Sequence, residues 1–192
     1  MEECDIKFDS TEELTIHAGK VSEGVIRKLN ALSLTLALAE SCTAGLVSGL
    51  LAGTAGASGV LWGSFVCYTK EAKVSMLGLD NDKLADYGLV SRETALSMAI
   101  GALQKSGASL AAAVTGLAGP SGDGSGVPVG TVWVATALRN GLITEAREFH
   151  FSGSRNAVRI RAAVAVFESI QRALDTGPSL PPGGRAKVPL LT

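Results

Sequence analysis

The sequence has few of the residues from which disulfide frameworks, metal sites and histidine-based catalytic triads are built. Its three cysteines, Cys4, Cys42 and Cys67, are odd in number and lack paired spacing, and only two histidines occur in 192 residues. The lack of a disulfide framework predicts a reducing, cytoplasmic compartment. Two distant histidines without a ligand cluster predict that the chain binds no metal, and no other cofactor is expected.

A charge excess of either sign is also absent. The chain carries 17 basic and 18 acidic residues, for a net charge of −1. This balance gives no electrostatic footprint for nucleic acid or for an anionic membrane, so neither partner is expected. No apolar run approaches the roughly 20 residues of a membrane span, and the start of the chain lacks the basic and apolar regions of a signal peptide. We therefore predict a soluble protein.

Length and composition predict one main domain. With 192 residues, 46% of them hydrophobic, the chain can bury a substantial core. Residues 1–11 are assigned to a short N-terminal extension and residues 12–176 to the domain. Residues 177–192, rich in proline and glycine, are expected to form a flexible tail.

Hydrophobic periodicity divides residues 12–176 into helices and strands. Helices are predicted at 12–30, 43–51, 70–77, about 92–105 and about 155–176, and strands at 32–39, 64–68, 110–115, 131–138 and 143–151. Ser91 and Ser154 are the expected N-caps of the last two helices. In 32–39, leucines alternate with small uncharged residues, which is typical of an interior strand covered on both faces. The pattern predicts an α/β fold, and the last two strands, joined by a turn at Asn140-Gly141, predict a mixed sheet.

The segment 39–45, Ala-Glu-Ser-Cys-Thr-Ala-Gly, lies at the predicted junction of a strand and a helix. A serine there is presented at the carboxyl edge of the sheet, beside the free N–H groups of the helix start. Those donors suit an oxyanion or a phosphate, which makes Ser41 a candidate nucleophile. On the local sequence alone, a serine or threonine that only caps the helix is the simpler interpretation.

A base for Ser41 has to come from few candidates. His17 lies in the predicted first helix and is expected at the surface, and His150 ends a late strand, where a structural role is expected. Lysine or tyrosine remains, and the segment 68–73, Tyr-Thr-Lys-Glu-Ala-Lys, offers both. A lysine acts as a base only when it is neutral, which requires burial or a neighbouring cation. The alternative is an ordinary solvated lysine near a helix start.

Two further segments carry groups that suit a phosphorylated ligand. The glycine-rich loop 116–130 follows a predicted strand, and backbone amides in such a loop can approach a phosphate or sugar closely. Gly153-Ser154-Arg155 opens the last helix, where an arginine and free amides can clamp a phosphate. A surface loop and a capped helix with a solvated arginine are the alternatives.

Together these four segments resemble the CinA C-terminal domain family, the nicotinamide-nucleotide amidases. The family pattern reads approximately Ala-Glu-Ser-Cys-Thr-Gly-Gly, Tyr-Ser-Asn-x-x-Lys, Thr-Gly-Ile-Ala-Gly-Pro with Pro-Val-Gly-Thr-Val, and Gly-Asp-Arg. Its counterparts here are 39–45, 68–73, 115–120 with 128–132, and 153–155. The motifs occur in the same order over residues 12–174, nearly the whole predicted domain.

The resemblance implies a three-layer α/β/α sandwich, a homodimer and no cofactor. It also implies hydrolysis of nicotinamide mononucleotide to nicotinic acid mononucleotide and ammonia. Ser41 is the implied nucleophile, with Lys73 and Tyr68 as its activating group, either of which can be the immediate base. The implied substrate contacts are Thr43, Ala44, Gly45, Lys70, Thr115, Gly116 and Arg155.

Three positions depart from the family pattern. Ala44 replaces a glycine, Lys70 an asparagine and Ser154 an aspartate. The Lys70 ammonium is expected to favour the neutral form of Lys73 by like-charge repulsion. The departures leave two alternatives to this amidase: a non-catalytic nucleotide-binding or regulatory protein on the same scaffold, and a serine amidase with another substrate. Two-domain members carry a further large domain before this one, which is not expected here.

Overall fold

Helices and strands follow one another largely as the hydrophobic pattern predicts. The structure is a computed structural model that describes residues 10–139 and 144–176. Its helices are α1 (Thr11–Ala31), α2 (Leu46–Ala52), α3 (Lys70–Leu77), α4 (Asn81–Tyr87), α5 (Arg92–Ser106) and α6 (Arg155–Thr176), with a 3₁₀ turn at Ala57–Gly59. Its strands are β1 (Leu36–Glu40), β2 (Leu61–Val66), β3 (Leu110–Gly116), β4 (Thr131–Leu138) and β5 (Thr144–His150). The predicted turn at Asn140-Gly141, the tail 177–192 and most of the N-terminal extension lie outside the described residues.

The five strands form one mixed sheet in the order β2-β1-β3-β4-β5. β1 pairs in parallel with β2 and β3, and β4 runs antiparallel to β3 and β5. All five residues of β1 are buried, which confirms the interior strand predicted from its alternating leucines. The predicted mixed sheet is confirmed as well.

The side chains of β1 alternate between two hydrophobic cores, one on each face of the sheet. Leu36 and Leu38 pack with residues of α1, α2 and α6, whereas Ala37 and Ala39 pack with residues of α3, α4 and α5. This alternation is the period of two that a strand imposes on its side chains. Helices therefore cover both faces, and the fold is the α/β/α sandwich that the resemblance implies. Within the described part of the chain, no helix is long and apolar enough to cross a membrane.

The strand directions bring the four sequence motifs to one edge of the sheet. β1, β2 and β3 run in parallel, so the segments that follow Glu40, Val66 and Gly116 emerge at the same edge. The antiparallel strand β4 starts there and β5 ends there, shortly before α6 begins. The carboxyl edge of parallel strands is where α/β proteins commonly bind their ligands.

β2 spans Leu61–Val66 rather than the predicted 64–68, and the starts of two further elements differ from the prediction because of local backbone conformation. β1 begins at Leu36, four residues later than predicted, since Ser33 forms a left-handed turn with φ 52°. α2 begins at Leu46 rather than at residue 43, since Ala44 and Gly45 have φ angles of 49° and 90°. Left-handed residues interrupt a right-handed helix, and neither turn has a hydrophobic pattern of its own.

Helix α4 is absent from the sequence prediction, although its start signal is present. Asp80 accepts hydrogen bonds from the N–H groups of Asp82 and Lys83 at 2.9 and 3.2 Å, which is an ordinary aspartate N-cap. The helix has seven residues, and Leu84 is its buried residue. One buried position in seven residues gives no periodicity to detect.

Candidate active site

A pocket of about 230 Å³ opens at the edge of the sheet where the sequence motifs converge. Its lining residues are Ser41, Cys42, Tyr68, Lys73, Leu89, Val90, Thr115, Gly116, Leu117, Ala118, Asp123 and Arg155. All three predicted catalytic residues are among them, together with three of the predicted substrate contacts: Thr115, Gly116 and Arg155. The structure thus brings the candidate nucleophile, both candidate bases and the candidate phosphate ligand into one cavity.

Ser41 and Lys73 are in direct hydrogen-bond contact. Lys73 Nζ lies 2.8 Å from Ser41 Oγ and also donates to the main-chain carbonyl of Cys67 at 2.8 Å. The two residues are nearly enclosed, with 7% of Ser41 and 1% of Lys73 exposed. Lys73 belongs to the start of α3, which Thr69 caps by accepting the N–H of Ala72. This is the arrangement of a serine beside an amine that can take its proton.

Burial is the main cause of the lowered pKa of Lys73. Removing the ammonium from water disfavours its charged form, and this is the largest influence on the group. The expected contribution of Lys70 is not found, because Lys70 is not among the charges that act on Lys73 and does not line the pocket. Enclosure by the fold, and not a neighbouring cation, favours the neutral amine.

The two buried cysteines beside Lys73 are poor competitors of Ser41 as nucleophiles. Burial raises the pKa of the Cys42 thiol to about 12 and also raises the pKa of Cys67. A cysteine attacks as the thiolate, so both groups stay protonated near neutral pH. Ser41, with an amine already in contact, is the better nucleophile.

Tyr68 contacts the site through two different groups. Its main-chain carbonyl lies 3.5 Å from Lys73 Nζ, whereas its hydroxyl accepts a hydrogen bond from Arg155 Nη2 at 2.7 Å. Arg155 Nη1 donates to the carbonyl of Gly119 in the glycine-rich loop. Because Lys73 reaches Ser41 directly, it is better placed than the Tyr68 hydroxyl to be the immediate base. Tyr68 is placed to orient Arg155.

The predicted substrate contacts in the turn between β1 and α2 do not line the pocket. Thr43 is fully buried, and its carbonyl accepts a hydrogen bond from Arg159 Nη2 at 2.7 Å. Its hydroxyl has no hydrogen-bond partner within the part of the chain that the structure describes. Ala44 is exposed, and the N–H of Gly45 donates to Glu40.

Glu40 fills the helix start that the sequence analysis assigned to a ligand. Its Oε2 accepts the N–H groups of Gly45 and Val47 at 2.9 and 3.0 Å, and its Oε1 accepts the N–H of Ser48 at 3.0 Å. Glu40 is fully buried. The expectation that the N–H groups of this helix start are free to bind an oxyanion or a phosphate is therefore wrong.

The backbone conformation at position 44, rather than a contact with ligand, accounts for the glycine that the family has there. Its φ of 49° lies in the left-handed region, which costs an L-residue about 1–2 kcal/mol. We expect Ala44→Gly to raise the free energy of unfolding by about 0.5–1 kcal/mol after the entropy of glycine in the unfolded chain is subtracted. Urea unfolding measures this difference, and a less stable glycine variant would contradict it.

Several residues of the pocket and its support carry no signal in the sequence analysis. Leu89 and Asp123 line the cavity from loops, and the Leu89 carbonyl accepts the hydroxyl of Thr115 at 2.7 Å. Arg159 holds the nucleophile turn and lies one helical turn after Arg155. That spacing of four residues on one helix places both arginines on the same face. The sequence could therefore have identified Arg159 as a neighbour of Arg155.

No metal centre is found among residues 10–139 and 144–176, which contain no group of three or more potential ligands. His150 Nε2 lies 3.6 Å from Glu148 Oε1, and its Nδ1 lies 3.3 Å from the hydroxyl of Thr131. His150 does not line the pocket. The structural role predicted for this histidine agrees with these contacts.

Sequence comparison relates the chain to one family. Residues 18–174 match the model of the CinA C-terminal domain. A CinA-like protein of Geobacter metallireducens is 43% identical over 150 residues, which cover 78% of this chain and 36% of that protein. A putative competence-damage inducible protein of Desulforamulus reducens is 44% identical over 140 residues, which cover 73% and 33%. The chain spans about a third of the length of the curated relatives it matches.

Solved structures resemble the fold over most of its length. Competence/damage inducible protein CihA from Agrobacterium tumefaciens superposes with a TM-score of 0.78 at 40% identity, covering 83% of this chain and 96% of that one. Competence damage-inducible protein A from Klebsiella pneumoniae superposes with a TM-score of 0.80 at 31% identity, covering 84% and 99%. The chain belongs to the CinA C-terminal domain family.

Proposed function

We propose that the chain is a serine amidohydrolase that removes ammonia from the carboxamide of nicotinamide mononucleotide. The observation that carries this proposal is the 2.8 Å contact between Ser41 Oγ and Nζ of the buried Lys73. A serine hydroxyl is a weak nucleophile until an adjacent base takes its proton. Burial lowers the pKa of Lys73, which supports that role. The motif resemblance supports the nucleotide amide as the substrate.

In the proposed reaction, Ser41 Oγ attacks the carboxamide carbon while neutral Lys73 accepts the hydroxyl proton. The tetrahedral intermediate then breaks its C–N bond, and the Lys73 ammonium returns the proton to the leaving amine. Ammonia departs, and an ester of Ser41 remains. Water attacks this ester with Lys73 again as the base, which releases the acid mononucleotide and regenerates Ser41. One water is consumed, one ammonia is released, and nothing is oxidised or reduced.

Arg155 is the proposed ligand of the substrate phosphate. Its side chain lines the same pocket as Ser41, and a guanidinium presents a planar fork of donors that matches phosphate oxygens. The Tyr68 hydroxyl and the Gly119 carbonyl hold the guanidinium in place. A side chain that is already ordered loses less conformational entropy when it binds a ligand.

Ammonia release from nicotinamide mononucleotide by the purified protein tests the proposal. We expect ammonia and nicotinic acid mononucleotide in equal amounts, and a covalent adduct on Ser41 when the reaction is quenched. Turnover of other amides only would replace the substrate but keep the serine amidase. Binding of the mononucleotide without turnover would support a nucleotide-binding protein instead.

Arg155→Ala is expected to weaken binding of the mononucleotide selectively. A charge-assisted hydrogen bond is worth about 1.5–3 kcal/mol, so KM for the mononucleotide should rise about 10- to 150-fold. The riboside, which lacks the phosphate, should lose much less. Steady-state kinetics on the two substrates measure this difference, and equal losses on both would show that Arg155 is not the phosphate ligand.

Arg161→Ala is the matched control for that substitution. Arg161 lies on the same helix, donates to the Ser152 carbonyl at 2.7 Å and does not line the pocket. Its removal deletes the same charge and a contact with a main-chain carbonyl. We expect KM for the mononucleotide to stay near the wild-type value. The increase in KM in Arg155→Ala would then result from the position of Arg155 in the pocket and not from the loss of a positive charge on the helix.

A further inference from the structure

Glu40 is a buried acidic residue for which the proposed reaction has no chemical step. It stands directly before Ser41, is 0% exposed and does not line the pocket. Burying a carboxylate is costly unless its oxygens are fully hydrogen-bonded. The partners of Glu40 therefore indicate what the residue is for.

The Glu40 side chain connects helix α2 to the edge strand β2. Beyond the three N–H groups at the start of α2, its Oε1 accepts the hydroxyl of Ser64 at 3.0 Å. All four partners are donors. A carboxylate accepts hydrogen bonds at both oxygens and donates none, so it matches this set where a carboxamide does not.

Glu40 also connects Ser41, the nucleophile, to Lys73, the base, through its main chain. Its main-chain carbonyl accepts the N–H of Cys67 at 2.9 Å, and the Cys67 carbonyl accepts a hydrogen bond from Lys73 Nζ at 2.8 Å. The main chain of Glu40 thus contacts Cys67, whose carbonyl orients Lys73. The side chain of Glu40 contacts the end of the turn that contains Ser41.

We propose that Glu40 is a positioning residue that sets the distance between Ser41 and Lys73, a role that rests on the proposed amidase function. The turn after β1 contains the left-handed residues Ala44 and Gly45, and the carboxylate fixes the point where the turn ends. Without this anchor, Ser41 Oγ moves relative to Lys73 Nζ. A displacement of about 1 Å can cost about 100-fold in rate.

Glu40→Gln tests the role with almost no change in shape. The carboxamide keeps one acceptor oxygen but turns an NH₂ group toward groups that are themselves donors, so at least one N–H contact is lost. We expect kcat for ammonia release to fall about 10- to 100-fold. KM should change by less than about threefold, since Glu40 lies outside the pocket and binding is separate from the chemical step.

A fluorophosphonate probe measures the reactivity of Ser41 independently of the natural substrate. The Ser41 oxygen forms a bond to phosphorus, fluoride leaves, and Lys73 accepts the hydroxyl proton. Ser41→Ala gives the background labelling. We expect Glu40→Gln to be labelled about 10- to 100-fold more slowly than the wild-type protein, in parallel with its loss of kcat.

Asp80→Asn is the matched control, because Asp80 also caps a helix start with its carboxylate, at α4, and does not line the pocket. We expect it to keep kcat and the labelling rate within about twofold of wild type. Both variants are compared at a temperature where circular dichroism shows each to be folded.

The outcomes separate this inference from the proposed function. The positioning role would be overturned if folded Glu40→Gln kept the wild-type rates of labelling and turnover. It would also be overturned if only KM increased, or if Asp80→Asn lost as much kcat and labelling rate as Glu40→Gln. A wild-type protein that takes the label but releases no ammonia from the mononucleotide would overturn the substrate, and labelling would still decide the role of Glu40. A wild-type protein that does neither would overturn both.

Discussion

Ser41→Ala is expected to reduce turnover of nicotinamide mononucleotide by at least about 10³-fold. The substitution removes the atom to which the substrate bonds, and no acyl-enzyme can form without it. The structural cost is small, since one hydroxyl and its contact with Lys73 are lost, worth about 1 kcal/mol. Ammonia release measures the activity, and intact-protein mass spectrometry should detect no adduct in the variant.

Ser22→Ala is the matched control for the loss of a buried hydroxyl. Ser22 is fully buried and its Oγ contacts the Gly19 carbonyl at 2.7 Å and the Thr54 hydroxyl at 2.9 Å, outside the pocket. We expect it to lose stability about as much as Ser41→Ala but to keep full turnover. Activity above a few per cent of wild type in Ser41→Ala would eliminate the covalent serine mechanism.

The parts of the fold that were predictable are those in which one residue pattern dominates. α3 and β4 begin and end at the predicted residues. Ser91 and Ser154 accept the N–H groups of Thr94 and Ala157 as predicted N-caps. In these segments the local preference and the tertiary packing agree, so the sequence alone is sufficient.

The meeting of the motifs at one edge could be predicted in outline only. Strand ends were predicted near Ser41, Tyr68 and Thr115, and parallel pairing of β1 with β2 and β3 brings them together. The contact between Ser41 and Lys73 depends on the angle of α3 and on the position of the Cys67 carbonyl. Neither follows from periodicity, because both are set by packing across the sheet.

Glu40 and Lys70 show why the role of a charged residue is hard to predict from the sequence. A glutamate in a motif with a nucleophile suggests chemistry, yet its four contacts are all with donors of the protein itself. A lysine three residues before Lys73 suggests charge coupling, yet burial dominates the pKa of Lys73. The charge is visible in the sequence, but burial and hydrogen-bond direction are visible only in the fold.

The assignment of residues 12–176 as the amidohydrolase domain, the homodimer and the cytoplasmic location stay predictions. The individual roles of Tyr68, Thr115 and Arg155 toward a substrate also stay predictions. Their common location in one pocket makes each of them testable by a single substitution.

Lys73→Met is expected to lower kcat by at least about 10²-fold, the usual contribution of general base catalysis. Methionine is similar in length and can fill the same buried space, but its thioether cannot take the proton of Ser41. KM should change little, since the amine contacts Ser41 and two main-chain carbonyls and is not itself a predicted ligand of the substrate phosphate. Near-wild-type activity would exclude the lysine base, and Tyr68 would be tested next.

The pH dependence of the proposed activity in the wild-type protein is expected to follow the protonation of Lys73. The base is active when neutral, so kcat/KM rises with pH through the pKa of Lys73 and then levels off. Because burial lowers that pKa, the midpoint should lie below the ordinary lysine value of about 10.4. Lys70→Asn should leave the midpoint unchanged, since burial is the cause that lowers the pKa of Lys73. A midpoint that moves upward in this variant would restore the coupling of the two amines.

Stability should depend on pH through Lys73 in a direction that identifies the buried amine. Between the lowered pKa of the folded state and the ordinary value near 10.4, the unfolded chain binds one proton more than the folded chain does. The contribution of Lys73 to the free energy of unfolding is therefore complete above the ordinary pKa and is lost as pH falls toward the lowered one. Lys73→Met lacks this loss, so its stability relative to wild type should increase as pH is lowered through the same interval. Urea unfolding of both proteins across that interval measures the difference, and parallel curves would mean that Lys73 has the same pKa in both states. In that case the amine would be charged beside Ser41 at neutral pH, and it could not act as the base.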